Sequence, residues 1–121
     1  GREIMKMIIK KNNQEIVVAE KMRVADNFWS RLKGLMFLPA MKEFDGLLIK
    51  RCNSIHTCFM NFPIDVIFLD SRYKVIKIIR KISPWRMTIP HFRASQVLEL
   101  PGETLSTEVA EGDYLEVICT S

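Results

Sequence analysis

The stretch Phe62-Pro-Ile-Asp-Val-Ile-Phe-Leu69 constrains this chain more than any other. It is apolar at every position but Asp65, and Asp70-Ser71 follows it as a turn signal. Its length suits a strand. A helix needs ~20 apolar residues to cross a bilayer, and no run here approaches that, so no transmembrane span is expected. Asp65 adds a second constraint. An unpaired buried carboxylate is expensive, so Asp65 must either point outward or meet a partner.

The rest of the chain repeats this pattern of short β-type runs between turn signals. Residues 5–10 and 15–20 read as a hairpin around Asn12-Asn13. Further strands are expected over 47–52, 55–60, 64–69, 75–82 and 95–100, with a last strand through Cys119. Asp26 or Asn27 caps a two-turn helix over 28–33, which Gly34 ends. Thr104 to Ala110 is expected to form a helical turn or two. Residues 83–94 hold Pro84 and Pro90 without periodicity and read as a long loop. The fold expected is mostly β: a β-sandwich or partly closed barrel of 7–8 short strands with one or two short helices.

Composition narrows the classes. With 121 residues, 48% of them hydrophobic, the chain suits one domain over 1–121 with a real core. Residues 1–4 read as a remnant of expression, with Met5 or Met7 as the native start. No secretory signal is visible, so a cytoplasmic location is the default and export the exception if a signal was removed. The three cysteines, an odd number, are expected to be reduced thiols. A net charge of +4 permits contact with anionic partners without requiring it.

Several segments resemble one family. Arg31-Leu-Lys-Gly-Leu-Met-Phe37, Gly46-Leu-Leu48 and the block from His56 through Pro63-Ile-Asp-Val-Ile-Phe-Leu-Asp70 follow its ordered signatures. Pro84-Trp-Arg86, Val97-Leu-Glu-Leu-Pro101 and Gly112-Asp113 continue them. The chain is similar over about 15–118 to domain of unknown function 192, also called uncharacterised protein family 0127. It departs at Cys58, where the family carries an aromatic, and at Gly102-Glu103. The resemblance implies a small β-sandwich-like domain of bacteria and archaea without an established activity, some members lying near pilus or secretion genes.

Four groups of residues invite chemistry. Cys52, His56 and Cys58 would share one face of a continuous strand, but their spacing is no recognised zinc finger and Asn53-Ser54 interrupts the strand, so neither a metal nor any other cofactor is expected. A cysteine nucleophile needs a cation or helix N-terminus to lower its pKa, and nothing local supplies one. For Asp65, Arg31 is the natural partner by type, with His56 and Thr57 as further donors. The bland reading is an ion pair tying helix to sheet; the sharper one is the floor of a polar pocket with Trp85 and Arg86 as its lid. Last, no acid separates Asp70 from Glu99, while Arg72, Lys74, Lys77, Arg80, Lys81, Arg86 and Arg93 are all basic. Lysines on an edge strand explain such a run better than nucleic-acid binding does.

The candidate cluster is therefore Arg31, His56, Thr57, Asp65, Trp85 and Arg86. The reading is an accessory module that binds a small ligand or a protein partner, with no specific nucleic acid expected. A small hydrolase around Asp65 and His56 is the alternative, and a weak, non-specific nucleic-acid binder the third reading. No nucleophile elbow, HExxH or phosphate loop completes an enzyme motif.

Overall fold

The computed structural model describes residues 4–26, 36 and 38–120; the expected helix over 28–33, and Arg31 with it, lies outside them. Asn12 and Asn13 both take left-handed φ values, 55° and 61°. Such a pair suits the two-residue turn whose twist matches its strands. Strands β1 (Ile4–Lys11) and β2 (Gln14–Ala25) form the resulting antiparallel hairpin. β3 (Gly46–Lys50), β4 (Ile64–Leu69), β5 (Val75–Ile82), β6 (Gln96–Pro101) and β7 (Glu116–Thr120) complete one open sheet in the order β5-β4-β6-β3-β2-β1-β7. All neighbours are antiparallel except β2 and β3. Close approach of that parallel pair requires Gly46, where a Cβ would stand 2.9 Å from the Cβ of Ala19.

Three expectations need correction. Residues 55–60 are not a strand: only His56 makes a bridge, to Met87, and Phe59 turns the chain with φ 64°. The strand expected over 47–52 stops at Lys50, because Arg51 adopts φ 55°. Thr104 to Ala110 forms turns rather than helix, and the described residues contain no helix at all. Local polar bonds account for the second change in chain direction, since His56 Nδ1 accepts from the amide of Cys58 and so competes with strand pairing.

Strands β3, β4 and β6 lie mid-sheet and are buried on both faces. Alternation along a strand sends successive side chains to opposite faces, and two apolar clusters result. Leu48, Ile67, Leu69, Leu98 and Leu100 pack on one face with Leu105 and Val109 from the β6–β7 connection. Leu47, Ile49, Val66, Phe68 and Val97 pack on the other with Ile55, Met60 and Ala94. Near-continuous apolar runs in β3, β4 and β6 are what burial on two faces demands.

β5 is an edge, and residues 103–115 run beside it. Arg80 donates to the carbonyl oxygens of Leu105 (2.7 Å) and Ser106 (3.1 Å), Lys81 pairs with Glu103 at 2.9 Å, and Lys77 lies 3.9 Å from Glu111. Lys74 stands over the ring of Tyr114. Much of the basic run is thereby matched by its neighbours on an edge strand, as the sequence suggests.

Candidate functional site

The sequence places one carboxylate in an apolar strand, and the structure shows what it does. β4 and β5 slip against each other: Ile64 faces Ile82, whereas Val66 faces Ile79. The extra residue on β5 makes a bulge, in which Lys81 takes φ 53°. Asp65, fully buried, collects the amide this irregularity turns inward, with Lys81 N–H donating to Oδ1 at 2.8 Å. Glu103 N–H donates to the same oxygen at 3.0 Å and Leu105 N–H to Oδ2 at 2.9 Å. An ionised carboxylate is acceptor-only, so three backbone donors suit it. All three of these donors are main-chain amides, and those of Glu103 and Leu105 fasten the turn after β6 to the sheet.

A second centre forms around Thr57, also fully buried. Its hydroxyl donates to Ser83 O at 2.7 Å and accepts from Arg86 N–H at 2.8 Å. Its amide donates to Arg86 O at 2.7 Å, and its carbonyl accepts from Trp85 N–H at 3.0 Å and Met60 N–H at 3.2 Å. Further along, Thr88 N–H donates to Ile55 O and His91 N–H to Asn53 O, both at 2.9 Å. The ring of His91 packs 4.4 Å from that of Phe68. Two irregular segments, residues 51–60 and 83–94, are thus laced side by side over one face of the sheet.

This lacing brings Thr57 onto Trp85 and Arg86 and sets His56 opposite Met87, four of the six residues of the candidate cluster lying on the two segments. Asp65 stands apart from them. Its carboxylate turns to the face where Leu105 packs, while Ile55 and Met60, flanking Thr57, pack on the opposite one. Arg31 lies outside the described residues. Cys52 and Cys58 form no disulfide among the described residues; Cys52 lies beyond the end of β3, and its Sγ meets Ser54 O at 2.9 Å. The common strand face that would have aligned the trio of Cys52, His56 and Cys58 does not form.

Between the laced segments lies a cleft of about 470 Å³ lined by Arg51, Cys52, His56, Met87, Thr88 and Pro90 among others. On the same two segments stand Phe59 and Trp85, with ring centroids 4.7 Å apart, edge to face. Both carry left-handed backbones, with φ 64° at each, and both are exposed. The sequence reading missed two features here. Phe59 escaped because nothing in a sequence marks a positive φ at a bulky residue. Glu99 is fully buried in β6, opposite Leu47 and Val66 in register. Its place amid Val97-Leu-Glu-Leu100 carries the same signal as that of Asp65.

The fold defines a class first: a mostly β, seven-stranded sheet shared with solved bacterial proteins. A putative transcription regulator from Sinorhizobium meliloti superposes with a TM-score of 0.78 at 22% identity, covering 96% of this chain and 94% of the other. A protein of unknown function from Novosphingobium aromaticivorans gives 0.75 at 21%, covering 92% and 83%. The chain itself belongs to the DUF192 family, described as an uncharacterized ACR, whose model matches residues 7–117. Among its archaeal relatives, a UPF0127 protein of Pyrococcus horikoshii is 42% identical over 84 residues, which span 67% of this chain and 72% of that protein. A UPF0127 protein of Thermococcus sibiricus is 34% identical over 115 residues, spanning 91% and 73%.

Proposed function

We propose that this chain is a binding module that engages its partner through the face built by residues 51–60 and 83–94. One observation carries the reading: Trp85 holds its ring at the surface, 62% exposed, on a left-handed backbone with φ 64°. That conformation costs a bulky L-residue roughly 1–2 kcal/mol, and an exposed ring returns little of it to folding. Strain of this kind clusters at ligand clamps and binding sites. The adjoining cleft, with His56 and Thr88 in its wall, gives the face a recess for a small ligand or a side chain of the partner. A hydrolase centred on Asp65 and His56 has less support, because the Asp65 carboxylate is occupied by three amides of the fold.

The test uses bis-ANS, an anionic aromatic dye suited to an apolar surface with arginines beside it. Amide NMR shifts on titration should concentrate in residues 51–60 and 83–94. The Trp85→Asn variant should lose that binding while keeping its stability within about 1 kcal/mol, since asparagine tolerates a left-handed backbone and the ring removed is 62% exposed, in edge-to-face contact with Phe59. Shifts scattered over other surfaces, or a variant that loses the several kcal/mol typical of a truncated core aromatic, would reject the reading.

A further inference from the structure

The loop from Trp85 to Arg93 carries apolar side chains where a folded protein ordinarily hides them. Trp85 is 62% exposed, Met87 78%, Ile89 74% and Phe92 87%. The first three are spaced two apart on a segment whose intervening residues, Arg86 and Thr88, are bonded to Thr57 and Ile55. The apolar residues are therefore displayed on a braced ribbon. Scattered single apolar residues on a surface need no explanation, but a contiguous group marks an interaction site.

The charge around this group is one-sided. Arg51, Arg86 and Arg93 make no ion pair with a carboxylate among the described residues, whereas Lys77 and Lys81 of the neighbouring edge strand each do. No acidic residue occurs from Ser71 through Leu98. The arrangement is a set of protruding apolar tips with uncompensated arginines beside them.

We propose that this loop docks the protein on an anionic lipid bilayer, with Trp85, Met87, Ile89 and Phe92 entering the headgroup–acyl boundary and Arg86 and Arg93 meeting lipid phosphates. The inference rests on the reading of this face as the binding surface and names its partner. Apolar side chains opposite a cationic fringe are what interfacial attachment uses, and indole rings favour headgroup depth. Anionic leaflets attract clustered basic residues. Protruding tips fit a medium that flows around them. A second copy of the chain meeting this face about a two-fold axis would bring its own Arg51, Arg86 and Arg93 to the joint surface and add to the like charge there, so self-association is disfavoured.

Co-sedimentation with vesicles of phosphatidylglycerol and phosphatidylcholine in equal parts, against phosphatidylcholine alone, tests the proposal. The Trp29→Phe background leaves Trp85 as the one indole, and its emission should shift to the blue only with the anionic vesicles. Met87→Ser and Ile89→Ser should each weaken binding about tenfold, the effect of withdrawing one apolar side chain from the boundary. Arg86→Gln and Arg93→Gln should each weaken it about fivefold, and added salt should weaken it further. Failure to sediment with anionic vesicles would overturn the inference, as would binding indifferent to Met87→Ser and Ile89→Ser. Dye binding at residues 51–60 and 83–94 without vesicle binding would remove the bilayer and leave the binding face. Loss of both would remove the face as well. Concentration-dependent dimers blocked by Met87→Ser would overturn the bilayer in favour of a second copy.

Discussion

Replacing Asp65 by asparagine tests whether one carboxylate fastens the bulge of β5 and the turn after β6. Asparagine keeps a single acceptor. With its oxygen placed at Oδ1, it still receives Lys81 and Glu103, but its NH2 then stands where Oδ2 lay, 2.9 Å from the amide nitrogen of Leu105. Two donors face each other in a site with no solvent access. Each buried donor left unsatisfied costs about 1–3 kcal/mol, so the pair costs about 4 kcal/mol. The flipped amide is worse, leaving two backbone donors unmet instead of one. Against the roughly 5–15 kcal/mol that stabilises a domain, the melting temperature should fall by about 10–15 °C. Asp65→Ala, which abandons all three amides, should fall further. Circular dichroism melts give the stability, and hydrogen exchange should quicken at Leu105 more than at Val97 in the sheet. An Asp65→Asn protein within about 0.5 kcal/mol of wild type, the range of inert surface changes, would refute the reasoning; so would an alanine variant more stable than the asparagine one.

Two other substitutions probe separate features. Thr57→Val keeps the shape but strips the hydroxyl from Ser83 O and Arg86 N–H, so urea titration should show a loss of about 1–3 kcal/mol and faster exchange over residues 83–88; Thr57→Ser should restore both. Asp113 tests acid stability. Burial pushes its carboxyl up, but the Ala110 amide and the Lys11 ammonium at 3.0 Å together outweigh it and hold the group below 3.8. A depressed folded value means that the contribution is present above the unfolded pKa and is lost as pH falls through the folded one. Wild type should therefore exceed Asp113→Asn in stability at neutral pH, by the roughly 0.2–1 kcal/mol of a half-exposed pair, and the two should converge well below pH 3.8.

What could be read in advance follows from how local each cause is. The Asn12-Asn13 hairpin, β4 and β5 were legible because turn chemistry and strand patterning act over a few residues. Even the demand that Asp65 be satisfied was legible, since desolvation applies whatever the partner. Its three donors were not. Glu103 and Leu105 approach only after β6 is paired beside β4, and Lys81 only because β5 bulges, which no pattern in Val75–Ile82 announces. Residues 55–60 misled for the opposite reason. Ile55, Thr57 and Phe59 have strand propensity, yet Thr57 bonds across to Ser83 and Arg86 and holds the segment out of the sheet. The segment 83–94 was recognisable as a loop; the cluster expected from the sequence joined Arg31 and Asp65 to His56, Thr57, Trp85 and Arg86, and Asp65 lies apart from the laced segments. That Phe59 joins Trp85 depends on backbone angles the sequence does not encode locally.

The left-handed residues of this chain divide by what the fold gains from them. At Lys81 and Glu103 the unusual backbone turns amides inward, and Asp65 gathers both, so the distortion is converted into attachment between β4, β5 and the β6–β7 connection. At Asn12 and Asn13 it closes a hairpin. At Trp85 the amide donates to Thr57 O, a bond that glycine or asparagine in the same conformation would make with less strain. What the Trp85 side chain adds is a ring 62% exposed, edge to face with Phe59. A large ring at such a position is what the proposed binding face would use, in keeping with strain that clusters at binding sites. The same reasoning separates Asp65 from the loop face: the carboxylate acts within the fold, and under the proposed function Trp85 and its neighbours act beyond it.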